Sequence, residues 1–302
     1  MDTISPLITF PYVGGFHIKI LIGIPLHNEQ AYLHECLVSL YKFLHSECQN
    51  YEVDVLIADD GSTDQSREIY EELSLSYRLK TVRHERGPLG YGNTILTLFK
   101  EAKKGYDVLI TFDADLQHAP FTIKEIIDKL ATNSELDLIS TSRYLTYRFW
   151  KDNTKVPVDR YVTNMFLTRT INEIFDIQIT DAFCGLKGYR VRSLPSKMDH
   201  AGYSFPLVFW HYVHQNGIII EEIETPIIYR IDRRSRGEWK TRTNDYFQKL
   251  ESLVKTENQK EIVRNYQKNT LVQITEIIDH YTDFPIYTFT DFFKMKWLDQ
   301  NS

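Results

Sequence analysis

The sequence contains the stretch Leu109-Ile-Thr-Phe-Asp-Ala-Asp-Leu-Gln-His-Ala-Pro120, in which an apolar run ends on two carboxylates. A strand covered on both faces is apolar, so charged groups at its carboxyl end call for a partner. Successive strand residues alternate faces, so Asp113 and Asp115 share a face if the strand geometry persists. Two carboxylates on one side suit Mg2+ or Mn2+ that also holds phosphate oxygens and water. The alternative is a polar turn that caps a helix beginning near Pro120.

Composition places the chain among ordinary globular proteins. Its 302 residues allow one large domain or two small ones, with 42% hydrophobic and 25% charged residues. A formal net charge of -6 argues against broad nucleic-acid binding. The three cysteines show no metal-ligand spacing, which favours a reducing cytosol. No apolar run approaches the roughly 20 residues that cross a bilayer, and we expect a soluble or peripheral protein.

Apolar runs alternate with helical spacing through the first half of the chain. Strands are predicted at 17–25, 51–58, 79–83, 107–112 and 136–141, with helices between them. This alternation predicts βαβ units and a parallel sheet, in which ligands bind at the carboxyl ends of the strands. Polar residues follow three of these strands, at 25–29, 59–64 and 113–117. The helix after the second strand is predicted to begin at a cap among Ser62, Thr63 and Asp64.

The second half is less regular. A helix is predicted over 158–175, and Asp181 is a lone acid in an aromatic stretch that contains two glycines. Further helices are predicted over 204–215 and 244–280, with a strand at 217–224 between them. Arg and Lys concentrate between Arg230 and Arg242, either as a solvated surface or as a phosphate-binding loop. The aromatic tail 281–297 is expected to pack on the domain or on a second copy of the chain, and a shallow membrane contact is the alternative.

Ordered motifs across residues 18–242 resemble the family 2 glycosyltransferases of the GT-A fold. The resemblance is strongest to dolichol-phosphate mannose synthases and polyprenyl-phosphate glycosyltransferases. The matching pieces are Ile24-Pro-Leu-His-Asn-Glu29, Asp59-Asp-Gly-Ser-Thr-Asp64, Gly87-Pro-Leu-Gly-Tyr-Gly-Asn93, Asp113-Ala-Asp-Leu-Gln-His-Ala-Pro120, Ser142-Arg-Tyr144, Asp181 with Gly185-Leu-Lys187, and Arg234-Ser-Arg-Gly-Glu-Trp-Lys240. The resemblance implies an α/β fold with a mostly parallel sheet flanked by helices. It implies a catalytic domain over 1–242 and a helical extension over 243–302.

The resemblance also implies roles on the donor side. Pro25, Glu29 and Asp59 would line the pocket for the nucleotide, and Gly90 would contact the substrate. A divalent cation, Mg2+ or Mn2+, would be held on the donor diphosphate by Asp113, Asp115 and Gln117. Asp115 is counted as catalytic because a cation at the diphosphate stabilises the charge of the leaving group.

The resemblance also implies roles for three basic residues. Arg143, Arg234 and Lys240 resemble the cations that bind phosphates of donor or acceptor. Asp181 falls where family members that glycosylate a hydroxyl carry the general base. A hydroxyl needs such a base, whereas a phosphate acceptor is already anionic and needs mainly placement beside cations.

Several departures from the family pattern leave the acceptor open. His118-Ala-Pro replaces the commoner His-Pro-Pro, and Trp239 replaces a frequent small residue. We therefore predict an inverting transferase that moves a hexose from GDP-mannose or UDP-glucose to a polyprenyl phosphate at the cytoplasmic face of a membrane. A hydroxyl acceptor on a glycan or small molecule, with Asp181 as base, is the alternative. A sugar nucleotidyltransferase and a non-catalytic nucleotide-binding module are the other classes considered.

Overall fold

The fold is known from a computed structural model of the chain. The structure describes residues 18–146, 149, 156–198, 202–229, 239–280 and 286–287, and the statements below concern these residues. Among them, no helix combines the length and the apolar character that a membrane span requires.

A mixed sheet of seven strands forms the centre of the fold, in the order β3-β2-β1-β4-β7-β5-β8. The nine described strands are β1 Lys19–Leu26, β2 Glu52–Asp59, β3 Leu79–Arg83, β4 Val108–Thr111, β5 Leu138–Ser142, β6 Val156–Pro157, β7 Lys187–Arg190, β8 Ile220–Glu224 and β9 Ile286–Tyr287. β6 and β9 pair with each other in a separate two-stranded sheet. The mostly parallel sheet predicted from the alternation is confirmed, because β1 to β4 are parallel to their neighbours within that group.

Helices connect the parallel strands, as the helical spacing predicts. The eight described helices are α1 Leu33–Glu47, α2 Ser66–Ser74, α3 Tyr91–Ala102, α4 Thr122–Thr132, α5 Val158–Phe175, α6 Phe205–Gln215, α7 Trp239–Leu253 and α8 Glu257–His280. The region predicted to be helical over 244–280 contains two helices, α7 and α8, with a break at 254–256. A polar helical extension follows the last strand of the large sheet, as predicted.

The β1 strand lies inside the sheet, between β2 and β4. Its residues from Ile20 to Leu26 are buried, as expected for a β-branched run covered on both faces. The register pairs Leu26 of β1 with Asp59 of β2, and Asp59 with Arg83 of β3. The polar loops that follow these strands therefore begin at the same edge of the sheet.

The β7 strand, which the sequence pattern did not reveal, is antiparallel to both β4 and β5. It is only four residues long and carries Lys187 and Gly188, so it lacks an apolar run. Gly188 is needed for packing, since a Cβ there would overlap Ile126 of α4. The insertion of β7 brings Gly185, two residues before it, beside the end of β4, where Thr111 Oγ1 donates to the Gly185 carbonyl at 2.6 Å.

The described chain divides into two compact units. The first contains the described residues of Met1–Thr141, Gly185–Phe205 and Ile218–Ile223, and the second those of Ser142–Cys184, Pro206–Gly217 and Glu224–Ser302. In the second unit, α5, α7 and α8 pack on one another. The predicted domain boundary at residue 242 falls inside α7 and stays a prediction. In the aromatic tail, Ile286–Tyr287 pairs with Val156–Pro157, and the other tail residues lie outside the described chain.

Candidate active site

Asp113 and Asp115 lie in the turn that follows β4. The strand ends at Thr111, so the alternation of strand residues does not extend to them and that reason for their shared face is wrong. The turn contains Leu116 at φ +60°, a left-handed conformation that is uncommon for leucine. Burial and the negative charge of Asp113 raise the pKa of Asp115. The two carboxylates are thus close enough to repel each other.

Asp113 is held by His118 and accommodated by Gly185. His118, which is 9% exposed, has Nε2 2.9 Å from Asp113 Oδ2, and its ring packs against Phe112. A Cβ on Gly185 would overlap the same carboxylate, so only glycine leaves room for it. The other oxygen, Oδ1, is buried and has no hydrogen-bond partner. A buried carboxylate oxygen without a donor is costly unless a cation occupies the position beside it.

The two carboxylates fit a divalent cation that is completed by a ligand. Among the described residues, no three His, Cys, Asp or Glu side chains are arranged as a metal cage. Mg2+ commonly binds through one or two carboxylates together with substrate phosphates and water, so two suffice here. The predicted third ligand, Gln117, instead donates its side-chain and backbone N–H groups to Asp115. Its role as a metal ligand stays a prediction.

The loops after β1 and β2 are bonded to each other. Asn28, at φ +55°, accepts the backbone N–H of Thr63 at 2.8 Å on its side chain and donates its own N–H to Ser62 Oγ at 3.0 Å. Glu29, half-buried, donates its backbone N–H to Ser66 Oγ at 2.9 Å. The helix cap predicted among residues 62–64 is wrong. The N-cap position of α2 is residue 65, although Asp64 Oδ1 accepts the Ser66 N–H at 2.9 Å.

Asp59 and Pro25, predicted to line the nucleotide pocket, are both buried. Asp59 is 0% exposed, and its oxygens accept hydrogen bonds from Ser62 N, Tyr70 Oη and the Arg83 guanidinium. It therefore fixes Arg83 and the start of the loop after β2. The contact of Asp59 with a nucleotide stays a prediction. The geometry favours an indirect role, in which Asp59 positions Ser62 and Arg83.

Asp60 holds the glycine-containing loop that precedes α3. It accepts the backbone N–H groups of Leu89 and Gly90 at 2.8 Å each, and His84 Nδ1 at 2.6 Å. Burial acts to raise the pKa of Asp60, but the hydrogen bonds from His84 and the two backbone groups lower it overall. Gly90 has φ +91°, a conformation that favours glycine. Asp60 therefore fixes the backbone at Gly90. The contact of Gly90 with a substrate stays a prediction.

In the second unit, Asp181 is fully buried and surrounded by donors. Arg143 donates Nε to Oδ2 at 2.7 Å and Nη2 to Oδ1 at 2.9 Å, and its backbone N–H lies 3.2 Å from Oδ2. Asn164 Nδ2 and the Phe183 N–H also donate to Oδ1, at 2.7 and 3.2 Å. This geometry favours binding and orientation over proton abstraction, and the role of Asp181 as a base stays a prediction.

Arg143 is fixed by aromatic neighbours as well. Its Nη1 donates to Tyr229 Oη at 3.0 Å, and the guanidinium lies 5.3 and 5.5 Å from the ring centres of Tyr144 and Tyr229. Burial acts to lower the pKa of Arg143, but the charge of Asp181 raises it overall, so the guanidinium stays charged. Arg143 is therefore a cation held in one orientation.

Of the two remaining predicted cations, the structure describes only Lys240. Lys240 is exposed near the start of α7. Arg234 lies outside the described residues, as does most of the basic segment between Arg230 and Arg242. Their predicted contacts with phosphate stay predictions.

Sequence reasoning missed several residues that the structure places around these groups. His118 and Gly185 support Asp113, Asp60 supports Gly90, and Asn164 supports Asp181. The glycine after Asp181 was visible as a motif, but only the antiparallel β7 shows which side chain it accommodates. Asn164 carried no such signal, because it is one of many polar residues in the segment predicted to form α5.

Comparison with known proteins agrees with the motif reading. The model of the family described as Glycosyl transferase family 2 matches residues 21–195, which is more than half of the chain. The polyprenol monophosphomannose synthase of Mycolicibacterium smegmatis is 29% identical over 221 residues, covering 70% of this chain and 77% of that enzyme. The dolichol-phosphate mannosyltransferase of Pyrococcus furiosus is 32% identical over 128 residues. That match covers 42% of this chain and only about a third, 34%, of the relative.

Solved structures share the fold at low sequence identity. The crystal structure of glucosyl-3-phosphoglycerate synthase from Mycobacterium tuberculosis, in complex with Mn2+, uridine diphosphate and phosphoglyceric acid, superimposes with a TM-score of 0.59. The match has 15% identity and covers 82% of this chain and 86% of that one. The fold class predicted from the motifs is confirmed. The chain has the GT-A fold and belongs to glycosyltransferase family 2.

Proposed function

We propose that this glycosyltransferase moves a hexose from a nucleoside-diphosphate sugar to the phosphate of a polyprenyl phosphate, with the help of a divalent cation. In the reaction, the bond between the anomeric carbon and the donor phosphate oxygen breaks, and the nucleoside diphosphate leaves with the electron pair. An oxygen of the acceptor phosphate forms the new bond from the opposite face, which inverts the anomeric configuration. Relatives named as polyprenol and dolichol-phosphate mannose transferases support this assignment.

Asp113 and Asp115 are the residues proposed to hold the cation. Asp113 supports this role with a buried oxygen that has no hydrogen-bond partner, and Asp115 with a pKa raised by burial and by Asp113. When bound, Mg2+ or Mn2+ would stabilise the negative charge that develops on the leaving diphosphate. The fold neighbour with Mn2+ and uridine diphosphate supports a metal of this kind. His118 and Gly185 would keep Asp113 in place for that role.

The loops after β1 and β2, together with the loop held by Asp60, are proposed to bind the donor nucleotide. In parallel α/β sheets, ligands bind at the carboxyl ends of the strands, where these loops begin. The hydrogen bonds among Asn28, Ser62 and Thr63 preorganise two of the loops. We propose GDP-mannose or UDP-glucose as donors, since two relatives are named for mannose transfer and the fold neighbour was solved with uridine diphosphate.

The phosphate acceptor is favoured above all by the surroundings of Asp181. A hydroxyl acceptor must lose its proton to a base within hydrogen-bond reach. Both oxygens of Asp181 already accept from charged or neutral N–H groups, and the side chain is 0% exposed. If Asp181 took up a proton, one of its oxygens would carry an O–H facing the N–H groups of Arg143 or Asn164, and a hydrogen bond would be lost. A phosphate oxygen is already anionic and needs no such base.

Arg143 is proposed to orient the acceptor phosphate. Its charge is partly balanced by Asp181, so it contributes direction through its N–H groups more than net charge. The exposed Lys240, at the start of α7, is proposed to supply additional positive charge for a phosphate. Because polyprenyl phosphates reside in membranes, we propose that the protein works as a peripheral enzyme at the cytoplasmic face of one.

A hydroxyl acceptor is the second candidate function. It is favoured by the fold neighbour, a glucosyl-3-phosphoglycerate synthase solved with phosphoglyceric acid. Phosphoglycerate offers a hydroxyl and a phosphate on one small molecule, so the two candidates differ in which oxygen is glycosylated. Asp181 already accepts hydrogen bonds from Arg143 and Asn164. With a hydroxyl acceptor, either another group would have to remove the hydroxyl proton, or Asp181 would first have to break its ion pair with Arg143.

The experiment is a transfer assay with labelled GDP-mannose and UDP-glucose, in Mn2+, Mg2+ or EDTA. Three acceptors are compared: a polyprenyl phosphate, the free polyprenol of the same chain length, and 3-phosphoglycerate. The proposal predicts metal-dependent label in the polyprenyl phosphate and none in the polyprenol. Equal or faster transfer to the polyprenol or to 3-phosphoglycerate would overturn the phosphate acceptor and favour the second candidate.

A further inference from the structure

The α5 helix carries a line of polar side chains that its burial does not explain. Asn164, Thr168 and Asn172 are spaced by four residues, which places them on one side of the helix. Asn164 is 5% exposed and Thr168 is 4% exposed. Polar side chains buried to this degree need hydrogen-bond partners, so the line must face something that can bond with it.

All three side chains bond to one short segment, Ile179 to Phe183. Asn172 donates to the carbonyl of Ile179 at 2.8 Å and accepts its N–H at 3.2 Å. Thr168 Oγ1 accepts the Ala182 N–H at 3.1 Å. Asn164 Nδ2 donates to Asp181 Oδ1 at 2.7 Å. The helix therefore acts as a template for the segment that carries Asp181.

The hydrogen bonds of this network run in one direction. The Ala182 N–H can only donate, so the Thr168 oxygen accepts there, and the Thr168 hydroxyl donates to Asn164 Oδ1 at 3.0 Å. The amide of Asn164 is thereby oriented with its oxygen toward Thr168 and its nitrogen toward Asp181. Asp181 then receives a donor on the oxygen that also pairs with Arg143 Nη2. Because Asn164 presents its N–H to Asp181, this hydrogen-bond network suits the ionised carboxylate, which can only accept.

We propose that Asn164 and Thr168 are positioning residues for acceptor binding. They fix the orientation of Asp181 and, through it, the direction in which the Arg143 guanidinium presents its N–H groups. This inference rests on the proposed function for its link to the acceptor phosphate. The positioning itself rests only on the hydrogen bonds within the second unit.

The test compares three single changes on α5. Thr168→Val removes the hydroxyl that orients Asn164, and Asn164→Asp places an acceptor against the Asp181 carboxylate. Thr170→Val is the matched control, because Thr170 is 0% exposed and donates to the carbonyl of Phe166 in its own helix, away from the 179–182 segment. Thr168→Ser keeps the hydroxyl and serves as the conservative rescue.

Two readouts are taken on the full chain. The first is the hydrogen exchange of the Arg143 Nε–H, followed by NMR without any substrate. The second is KM for polyprenyl phosphate against KM for the sugar nucleotide. We expect Thr168→Val and Asn164→Asp to speed the exchange and to raise the acceptor KM about tenfold, as loss of one buried hydrogen bond predicts. The donor KM should stay within about twofold. Thr170→Val and Thr168→Ser should resemble the wild type in both readouts.

The two readouts separate the failure of this inference from that of the proposed function. Unchanged exchange of the Arg143 Nε–H in folded Thr168→Val and Asn164→Asp variants would overturn the positioning role. Faster exchange with an unchanged acceptor KM would uphold the positioning and overturn its link to acceptor binding. If the wild type transfers no sugar to polyprenyl phosphate, the proposed function falls, and the exchange measurement still decides the positioning.

Discussion

Two carboxylate groups of the candidate site have opposite environments. Asp113, at the end of β4, has an oxygen with no hydrogen-bond partner, and its neighbour Asp115 has a raised pKa. Asp181, in the second unit, accepts from Arg143, Asn164 and the Phe183 N–H and forms a buried ion pair. The first group keeps a buried oxygen without a hydrogen-bond partner, whereas the second is paired with a guanidinium and bonded on both oxygens.

The difference indicates what each group can do. A carboxylate pair with a buried, unbonded oxygen gains from an external cation, because burial and mutual repulsion both penalise its charge. A carboxylate already paired with a guanidinium and held by further donors gives up those bonds if it takes a proton. We therefore assign cation binding to Asp113 and Asp115, and orientation of Arg143 to Asp181. Each of the following predictions tests one side of this contrast.

The largest effect is expected for Asp113→Asn. This change halves the charge of the metal-binding pair and weakens its contact with His118, so turnover should fall by on the order of 10³-fold. Asp107→Asn is the control, because Asp107 lies at the other end of β4 and bonds the Lys19 N–H at 2.8 Å. Transfer assays with the two folded variants would contradict the metal role if Asp113→Asn kept more than a tenth of the control's rate.

A smaller loss is expected for Gly185→Ala. The added Cβ overlaps the Asp113 carboxylate, which must move away from its position beside His118. We expect transfer to fall by about 10–100-fold, in line with the cost of misplacing a catalytic group. Gly188→Ala is the control, because its Cβ overlaps Ile126 instead and should lower the melting temperature without raising the Mn2+ concentration that half-saturates activity. An equal metal requirement in Gly185→Ala and wild type would count against the geometry.

Metal affinity should depend on pH through Asp115. Because burial and Asp113 raise its pKa above the ordinary value, protons compete with the cation at a higher pH than for an exposed carboxylate. Below that pKa, the affinity for Mn2+ should fall by up to about tenfold per pH unit. Titration of the wild type with Mn2+ across acidic to neutral pH, followed by electron paramagnetic resonance, measures this. A pH-independent affinity would show that Asp115 is not a ligand.

The smallest effect concerns stability and the loop that Asp60 holds. The folded-state pKa of Asp60 is lowered, so its contribution to stability is present above the unfolded pKa and is lost as the pH falls through the folded pKa. Asp60→Asn should therefore lower the free energy of unfolding by about 1–3 kcal/mol at pH 7, and by less in acid. Urea unfolding at several pH values tests this. A difference that stays constant or grows toward acid would have the wrong sign.

Most of the fold could be predicted from the sequence, because the strands of the first half are strongly apolar and regularly spaced. The strand at 79–83 and the helix at 158–175 were predicted with the observed bounds. The short β7 was missed, since Lys187 and Gly188 give no apolar signal and its pairing is long-range. The N-cap of α2 was predicted one to three residues too early: Ser62 and Thr63 bond to Asn28, more than thirty residues earlier, and Asp64 is shared between Gln30 and Ser66.

The candidate site was predictable in its residue types but not in its internal contacts. The acids at 113, 115 and 181 stood out because they interrupt apolar or aromatic stretches. Whether such an acid is open or engaged depends on residues distant in the chain, such as Gly185 for Asp113 and Arg143 for Asp181. The family match also removes support for the nucleotidyltransferase considered from the sequence.

The central claim, that a phosphate oxygen accepts the sugar without a protein base, is tested most directly on the product. Polyprenyl phosphate treated with the enzyme, donor and Mn2+ is followed by 31P NMR across the second ionisation of a phosphate monoester, at a pKa of about 6. The account predicts a new lipid phosphorus resonance that no longer titrates, because the phosphate has become a diester to the sugar. A glycosylated product whose lipid phosphate still titrates as a monoester would contradict the account.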